Sequence, residues 1–474
     1  MKHAGVVAEL VDSGAAIHLM GIGGAGMAGL ARLMQARGAV VSGCDQVLSD
    51  ATDELERQGM SVLPGHSPDH VVGIAALVHT AAVPEGHPEV EEAGRQGLPV
   101  IKRSQALAEL VNRGTLVGIA GTHGKTTTSA LTALALEAAG IDPTALVGGR
   151  IPAWGGNARI GGSDTYVVEA DEYDRSFLTL WPKVAVVTSV EAEHLDTYTT
   201  FAQMEEAFHQ FVDRVPEDGR VIACADDTGA RRVLERVGSR SIAYSTQEQS
   251  DAELRAESMS YGSAGSSFSV AWRGRSLGDF QLSLRGEHNV RNALAVIGVM
   301  LALGLQPQSA LPAFTAFTGV ERRFQVLGDV DGVTVVDDYA HHPTEVTATL
   351  KAARQAYGDR RLVVAFQPHL FTRTQAFGAE FGHALAAADL LFVTRIYPAR
   401  EQPLPGVTAQ LVVDAAHEKM AAESVRYADD LESLSEALKH ELREGDVLLT
   451  MGAGDITSVS HRIFAELGRS NVDA

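Results

Sequence analysis

The feature that most constrains the fold is a glycine-rich turn between a predicted strand and a predicted helix. The apolar run 116–120 is long enough for a buried strand and too short for a helix. Gly121 and Gly124 follow it, and an Ala- and Leu-rich helical stretch, 126–139, comes next. Backbone N–H groups in such a turn, with the positive end of the helix dipole, favour phosphate. The order of elements predicts a nucleotide-phosphate loop.

Two side chains of this loop have the chemistry that nucleotide binding requires. The Lys125 ammonium would reach the outer phosphates, and the Thr126 hydroxyl would ligate Mg²⁺. The general phosphate-loop pattern is not met, because it places glycine where this chain has Ile119. A surface turn with one lysine is the alternative, but it gives no reason for the succession of strand, loop and helix.

A second glycine-rich loop lies near the N-terminus, after a predicted strand. Gly21, Gly23 and Gly26 have the G-x-G-x-x-G spacing, and the acidic residue Asp45 ends the next predicted strand. By itself this βαβ unit would indicate NAD binding. The fingerprint is weak, however, and any diphosphate could bind at the same helix N-terminus, or the turn could have no ligand.

Acidic clusters follow two predicted strands in the middle of the chain. Glu169 ends strand 166–169, and His194 follows strand 184–190. Both should lie at the rim that carries the phosphate loop, where Glu169 could ligate Mg²⁺ through oxygen. A histidine nitrogen is a poorer Mg²⁺ ligand, so His194 by itself is better interpreted as a supporting residue. Solvated acidic turns remain the alternative for both clusters.

Two asparagines lie at the start of a long apolar helix. Asn289 and Asn292 are three residues apart on one helical face and could offer the donors and acceptors that adenine needs. Asparagine near a helix start is more commonly a cap, and spacing alone favours that interpretation. Before this helix, 250–284 predicts an antiparallel appendage, and 240–265 is the most loop-like stretch.

The last third alternates strands and helices, which predicts another mostly parallel sheet. The adjacent pair His341 and His342 could suggest a metal, but neighbouring side chains rarely converge on one ion. Each histidine is better interpreted as a hydrogen-bonding residue. With 474 residues, two to four domains are expected.

Composition excludes several classes of function. A formal net charge of −21 argues against nucleic acid as a partner. Cys44 and Cys224 are the only cysteines, and their spacing predicts neither a disulfide framework nor a zinc site. No signal peptide is visible and no apolar stretch is long enough to span a bilayer. We therefore expect a cytoplasmic protein without membrane segments.

Together these segments resemble the Mur ligases, the ATP-dependent amide-forming enzymes of peptidoglycan precursor synthesis, over nearly the whole chain. The shared motifs are 18–27, 121–128, 169–172, 193–196, His288-Asn289 with Asn292, 337–345 and 367–369. Each motif is of moderate specificity, and their common order makes the resemblance strong.

The resemblance implies an α/β protein of three domains. These are a Rossmann-like domain for the UDP-sugar, 1–111, a central P-loop-type ATPase domain, 112–318, and a Rossmann-like C-terminal domain, 319–474, that closes over nucleotide and amino acid. The implied reaction uses ATP and Mg²⁺ to join L-alanine to the lactoyl carboxylate of UDP-N-acetylmuramate through an acyl phosphate. The partners are then small-molecule substrates, and either a monomer or a homodimer is compatible with them.

The resemblance also implies roles for individual residues. The catalytic set is Lys125, Glu169, His194, Arg322 (or Arg323), His341 and Arg373. The metal set is Thr126, Glu169 and His194. The nucleotide- and sugar-binding set is Gly121, Thr122, His123, Gly124, Lys125, Thr126, Thr127, Asn289, Asn292, Tyr339, Gly21, Gly23, Gly24, Gly26 and Asp45. In this family Asn289 and Asn292 would face adenine, against the cap interpretation.

One departure from the family pattern affects the amino-acid site. Arg373 would pair with the carboxylate of alanine, but Leu370 stands where family members carry a second arginine. The carboxylate clamp would then depend on Arg373 alone, or on Arg373 with another cation such as Arg400.

Three other functions remain open. A murein peptide ligase, which adds a tripeptide to the same UDP-sugar, shares the central motifs. An NAD(P)-dependent oxidoreductase would use the first glycine loop but gives no use to Lys125. An ATP-driven switch would hydrolyse ATP without forming an amide.

Overall fold

Three β-sheets follow one another along the chain in the computed structural model, which describes residues 5–193 and 197–470. Contacts divide the chain into two compact units. The first comprises Met1–Ser258, Phe268–Phe280 and Arg291–Ala316, and the second comprises Met259–Ser267, Gln281–Val290 and Phe317–Ala474. The α/β class with parallel-rich sheets, predicted above, is confirmed.

The first sheet has five strands, all paired in parallel. They are β1 (Ala16–Met20), β2 (Val40–Asp45), β3 (Ser61–Pro64), β4 (Ala76–His79) and β5 (Val100–Lys102). The helices around them are α1 (Val6–Asp12), α2 (Ala25–Ala36), α3 (Asp50–Arg57), α4 (Pro88–Arg95) and α5 (Arg103–Val111), with a 3₁₀ turn at Pro68–Val71.

The order β3-β2-β1-β4-β5 reverses direction between β1 and β4. Open parallel sheets bind ligands at such a reversal, outside the carboxyl ends of the strands. Gly21 follows β1 with φ 72°, and a Cβ at Gly21 would lie 3.2 Å from Cγ2 of Thr80, which follows β4. The first glycine loop is therefore at the position where a ligand is expected.

The second sheet has ten strands in the order β15-β14-β13-β12-β11-β10-β6-β9-β7-β8. They are β6 (Thr115–Ala120), β7 (Thr144–Ile151), β8 (Gly156–Arg159), β9 (Thr165–Glu169), β10 (Val184–Val187), β11 (Arg220–Cys224), β12 (Ser241–Ser245), β13 (Leu254–Gly262), β14 (Gly265–Trp272) and β15 (Arg275–Leu282). The helices are α6 (Lys125–Ala138), α7 (Phe201–Val212), α8 (Thr228–Val237), α9 (Glu287–Ala302) and α10 (Leu311–Ala316), with 3₁₀ turns at Pro152–Trp154, Tyr173–Thr179, Gly238–Arg240 and Pro307–Ala310.

The strand that carries the phosphate loop, β6, lies between β10 and β9 and is parallel to both. Register pairs Ile119 with Glu169 and Ala120 with Val187. Glu169 and residues 191–193, the described part of the second acidic cluster, therefore follow strands on either side of the loop. Strand β10 ends at Val187, three residues before the predicted end.

The prediction that 240–265 is the most loop-like stretch of the chain was wrong. Two strands, β12 and β13, occupy most of this stretch, and β13 pairs in parallel with β12. Strands β13 to β15 extend the second sheet rather than forming a separate appendage. Polar, partly exposed strands lack the apolar runs that make a strand visible in sequence, and the neighbouring strand supplies the hydrogen bonds that stabilise them.

The third sheet has six strands in the order β16-β17-β21-β18-β19-β20. They are β16 (Gln325–Val330), β17 (Val333–Asp338), β18 (Leu362–Phe366), β19 (Leu390–Thr394), β20 (Val425–Ala428) and β21 (Val447–Met451). The helices are α11 (Pro343–Tyr357), α12 (Phe371–Leu385), α13 (Gln410–His417), α14 (Leu431–Glu441) and α15 (Thr457–Ser470), with a 3₁₀ turn at Ala422–Ser424. Apart from the antiparallel β16–β17 hairpin, the strand pairs are parallel.

Apolar clusters on both faces of this sheet form its core. One face has Phe366 and Phe381 with their neighbours, and the other has Phe392 and Leu438. Burial on both faces explains why β18, β19 and β21 are continuous apolar runs, which made them predictable to the residue. None of the helices in the described residues combines the length and apolar character needed to cross a bilayer.

Candidate active site

The second glycine loop connects β6 to α6 with geometry suited to an anion. Gly124 has φ 80° and is the N-cap of α6, and a Cβ there would lie 2.6 Å from Oδ1 of Asn292. Thr122 N–H donates to Ser189 O at 2.9 Å, and His123 N–H donates to Ser189 Oγ at 3.0 Å. The loop is thus fixed to the end of β10, while the helix N-terminus faces the turn.

Lys125 is held within this loop by several oxygen atoms. Its Nζ lies 2.6 Å from Gly121 O and 2.9 Å from Oε2 of the fully buried Glu172. Burial by itself lowers the pKa of Lys125, but the carboxylates around it, with Glu172 first, outweigh burial and raise the pKa. The ammonium is therefore charged at neutral pH and positioned to meet phosphate oxygens.

Glu169 and Thr126 converge as the sequence predicted. Thr126 Oγ1 lies 3.1 Å from Glu169 Oε1, and Gly148 N–H donates to the other carboxylate oxygen. Burial raises the pKa of Glu169, while Lys125 and these two hydrogen bonds oppose the rise. A hydroxyl and a carboxylate in contact at a phosphate loop form a hard oxygen donor set, which fits Mg²⁺.

The other residues that the sequence predicts around the loop differ in how closely they approach it. His194 lies outside the described residues. His123 Nε2 is 3.4 Å from Glu191 Oε2, and Thr127 is buried on α6. Asn289 Nδ2 donates to Arg285 O at 2.8 Å, which is not an N-cap bond, because a capping side chain accepts a backbone N–H through its oxygen. Asn292 instead lies against the loop at Gly124.

The first glycine loop is bonded to the acidic residue predicted with it. Gly23 N–H donates to Asp45 Oδ2 at 2.9 Å, and Gly24 is the N-cap of α2. A Cβ at Gly26 would lie 2.8 Å from Nη1 of Arg103, so a guanidinium lies beside the helix start. Arg103 is a candidate anion-binding residue that sequence reasoning missed. Its position directly after β5, at the ligand-binding rim, was the available signal.

A cleft of about 420 Å³ is lined by Ala81, Tyr173, Asp174, Arg175 and Thr197. Ala81 belongs to the loop after β4, and the next three residues begin the turn after β9. Asp174 and Arg175 have φ of 52° and 53°, a conformation that non-glycine residues rarely adopt. Strained backbone of this kind clusters at functional sites.

In the second unit, the guanidinium carbons of Arg322 and Arg323 both approach the aromatic ring of Tyr339. The distances to the ring centroid are 4.8 Å and 5.1 Å. Arg322 also donates to Gly452 O at 2.7 Å and to Gly454 O at 3.0 Å. The structure therefore brings Arg322 and Tyr339 together and ties them to the loop after β21.

His341 and Arg373 also lie at the carboxyl rim of the third sheet. His341 Nδ1 is 2.8 Å from Tyr339 O, and the His341 ring centroid is 6.1 Å from that of His369. Arg373 Nη1 is 3.3 Å from His369 Nδ1. His342 caps α11 through its Nδ1, so both histidines of the adjacent pair form hydrogen bonds, as predicted.

Asp338, at the end of β17, is a buried carboxyl group whose pKa makes the stability of the protein depend on pH. Its buried carboxylate accepts from Phe324 N–H at 2.8 Å and from Ala340 N–H at 2.7 Å, and burial raises its pKa from 3.8 to about 6. Over that pH range the folded chain retains a proton that the unfolded chain has lost, so stability falls as pH rises. Relative to Asp338→Asn, the wild type should lose about 2 kcal/mol between pH 4 and pH 7.

Melting temperatures of both proteins across this range would check the prediction. Asp430 supplies a control of opposite sign, because the hydrogen bonds of its helix cap lower its pKa. Stability contributed by Asp430 should be lost as pH falls. A difference between wild type and Asp338→Asn that does not change with pH would contradict the elevated pKa.

The fold and site define an α/β protein of successive sheets with a phosphate-binding type of loop at a helix N-terminus, and comparisons with known proteins identify the family. The chain matches the profiles of the Mur ligase family catalytic domain over residues 16–115, the Mur ligase middle domain over 119–300, and the Mur ligase glutamate ligase domain over 322–454. The chain belongs to the Mur ligase family.

Among the curated relatives, the UDP-N-acetylmuramate–L-alanine ligase of Nitratidesulfovibrio vulgaris is 44% identical over 95% of this chain and 98% of its own length. The solved UDP-N-acetylmuramate–alanine ligase of Thermotoga maritima is 27% identical, with a TM-score of 0.81, and covers 96% of this chain and 100% of its own. The solved murein peptide ligase of Psychrobacter arcticus is 26% identical, with a TM-score of 0.68. The match covers 96% of this chain and 99% of the Psychrobacter chain.

Proposed function

We propose that this enzyme joins L-alanine to the lactoyl carboxylate of UDP-N-acetylmuramate, with ATP hydrolysed to ADP and phosphate, in peptidoglycan precursor synthesis. The carrying observation is the phosphate loop, in which a charged Lys125 and the Thr126–Glu169 pair lie together. The 44% identity to a ligase of that name over nearly both chains supports the substrates.

The proposed reaction has two steps. The lactoyl carboxylate attacks the γ-phosphate of ATP, which breaks the bond to ADP and forms an acyl phosphate. The neutral amine of alanine then attacks the acyl carbon and expels phosphate, and one amine proton passes to a base while the other stays on the amide nitrogen. Two anions must approach each other in the first step, so preorganised positive charge is the main requirement.

Lys125 is the residue that we propose for this charge. In the structure Glu172 and loop carbonyls hold its ammonium. Phosphate oxygens would take over part of this contact when ATP binds. Glu172 keeps the side chain extended toward the loop, so little reorganisation is needed during transfer.

Thr126 and Glu169 are the residues that would hold Mg²⁺, with His194 proposed from the family pattern. The ion would supply charge neutralisation on the phosphates. The protein's contribution is the orientation of the donors: Gly148 N–H and Thr126 fix the Glu169 carboxylate on both oxygens. We also propose that Asn292, which lies against the loop, and Asn289 contact adenine.

The first glycine loop is proposed to bind the UDP-sugar. Gly21 to Gly26 start α2 at the reversal point of the first sheet, and Arg103 supplies a positive charge beside Gly26. Burial lowers the pKa of the Arg103 guanidinium, opposed by Asp171, but a guanidinium remains charged at neutral pH. A diphosphate suits this combination of helix N-terminus and arginine.

The direct test offers purified protein ATP, Mg²⁺ and UDP-N-acetylmuramate, with either L-alanine or the tripeptide that a murein peptide ligase uses. Mass spectrometry should detect UDP-N-acetylmuramoyl-alanine in the first mixture. Product with the tripeptide alone would establish the alternative ligase. ATP turnover without either product would contradict the proposal.

Arg373 is proposed to bind the carboxylate of alanine. With Leu370 at the position of a second arginine, we expect Arg373→Lys to raise KM for alanine roughly 10- to 100-fold, because lysine cannot form the bidentate pair. The KM for UDP-N-acetylmuramate should change little. Steady-state kinetics with each substrate varied would measure both.

A matched control is Arg354→Lys, since Arg354 pairs with Asp389 on the outside of the third sheet. It should leave KM for alanine unchanged. A larger effect from Arg400→Ala than from Arg373→Lys would move the clamp to the loop after β19.

A further inference from the structure

A cluster of metal-binding side chains lies beneath the first glycine loop. His18 is on β1, Cys44 on β2, His70 in the 3₁₀ turn Pro68–Val71, and Glu89 in the first turn of α4. One ligand atom from each lies within 4.8 Å of all the others. Glu89 Oε1 is 2.8 Å from His70 Nδ1, and both Glu89 oxygens are 3.5 Å from Cys44 Sγ.

His18 has the hydrogen-bonding pattern of a metal ligand. The residue is 1% exposed, and its Nδ1 lies 2.9 Å from Ser42 Oγ. Its Nε2 is buried and has no hydrogen-bond partner among the described residues. Metal-binding histidines use one ring nitrogen for an orienting hydrogen bond and the other for the metal. An unpartnered buried nitrogen is otherwise costly.

We propose that His18, Cys44, His70 and Glu89 form a structural site for Zn²⁺. Two imidazole nitrogens, a thiolate and a carboxylate are donors that zinc accepts, and four protein ligands complete a tetrahedral site. Ligand bonds of about 2.0–2.3 Å require donors roughly 3.3–3.8 Å apart, so the cluster needs only a small contraction. The site is separate from the proposed Mg²⁺ donors, which are oxygens.

Hydrogen bonds within the cluster explain the burial of Glu89 but not the burial of His18 Nε2. Ser67 N–H donates to Glu89 at 2.7 Å, and His70 and His66 approach the same carboxylate at 2.8 Å and 3.4 Å. These contacts explain how Glu89 can be buried. They leave His18 Nε2 without a role, whereas a cation would use it together with the Cys44 sulfur, whose proton would pass to solvent on binding.

The ion would stabilise the base of the first glycine loop. Cys44 O accepts from Gly21 N–H at 2.8 Å and from Ile22 N–H at 3.1 Å. A bond from the Cys44 sulfur to zinc would therefore fix the backbone on which the loop rests. Amide hydrogen exchange at Gly21 and Ile22 should slow when zinc is added.

The test uses tag-free full-length protein with excess Mg²⁺ and no nucleotide. Elemental analysis after Zn²⁺ addition and dialysis should find about one zinc per chain, and Co²⁺ should produce a thiolate-to-cobalt charge-transfer band. Cys44→Ser should abolish the band and weaken zinc binding at least tenfold. Cys224→Ser should retain both, because this equally buried cysteine is on β11 of the second sheet.

His70→Asn provides a second variant that keeps the Cys44 thiol. It should retain a melting temperature close to that of zinc-free wild type and lose the increase that zinc causes. Zinc content well below one per chain in the wild type would overturn the proposal. A charge-transfer band that persists in Cys44→Ser would also overturn it. The same holds if wild type, Cys44→Ser and His70→Asn bind zinc equally well.

Discussion

Lys125→Ala is expected to lower kcat by roughly a hundredfold or more, the loss seen when one preorganised transition-state donor is removed. Lys125 Nζ lies at the start of α6, where the β- and γ-phosphates of ATP are proposed to bind. Steady-state turnover measured as amide product, with ATP and UDP-sugar saturating, would give the ratio. Turnover within threefold of wild type would remove Lys125 from the chemistry.

Loss of Lys125 also affects stability, because its ammonium lies against the carboxylate of Glu172. Glu172 is fully buried beside Lys125, so removal of the ammonium takes away the positive charge that lies against this buried carboxylate. Breaking a buried pair in this way costs roughly 3–5 kcal/mol of stability. The double variant Lys125→Ala with Glu172→Gln removes that charge and should regain melting temperature but not activity.

Lys183→Ala is the matched control for Lys125→Ala. Lys183 immediately precedes β10 and pairs with Asp218 at the amino end of the second sheet, opposite the phosphate loop. Its loss should leave kcat unchanged. If the double variant recovered both stability and turnover, the effect of Lys125 would be structural rather than catalytic.

Gly23→Val is expected to raise KM for UDP-N-acetylmuramate about tenfold or more, with little change in KM for ATP. A Cβ at Gly23 would lie 3.0 Å from both Asp45 Oδ2 and Thr52 Cγ2, so valine must displace the carboxylate that accepts the Gly23 N–H. It would also cover the backbone that a diphosphate approaches. Equal effects on both KM values would contradict separate sites for sugar and ATP.

Gly94→Val tests whether any added side chain in this part of the chain has the same effect. Gly94 lies on α4, and nothing is within 4 Å of a Cβ built there. Its kinetic constants should stay near those of wild type. A melting temperature for Gly23→Val close to that of Gly94→Val would show that the rise in KM is not the result of unfolding.

Much of the site could be predicted for two reasons: the loop residues are close in sequence, and parallel strands end at one rim of the sheet. The phosphate loop joins β6 to α6 within a few residues, and local backbone chemistry alone specifies such a turn. Glu169 was predictable because parallel strands end at one rim, and the structure places it 3.1 Å from Thr126. Buried apolar strands such as β18 were predictable to the residue.

The sequence by itself therefore determined the fold class, the phosphate loop and the order of the acidic clusters, since each depends on local pattern and parallel-sheet geometry. Only the tertiary structure revealed Arg103 beside Gly26 and the strands in 240–265, because both depend on partners remote in the chain. The zinc-binding cluster has the same origin. Cys44 has no zinc spacing in sequence, and packing of β1, β2 and α4 alone brings it to His18 and Glu89.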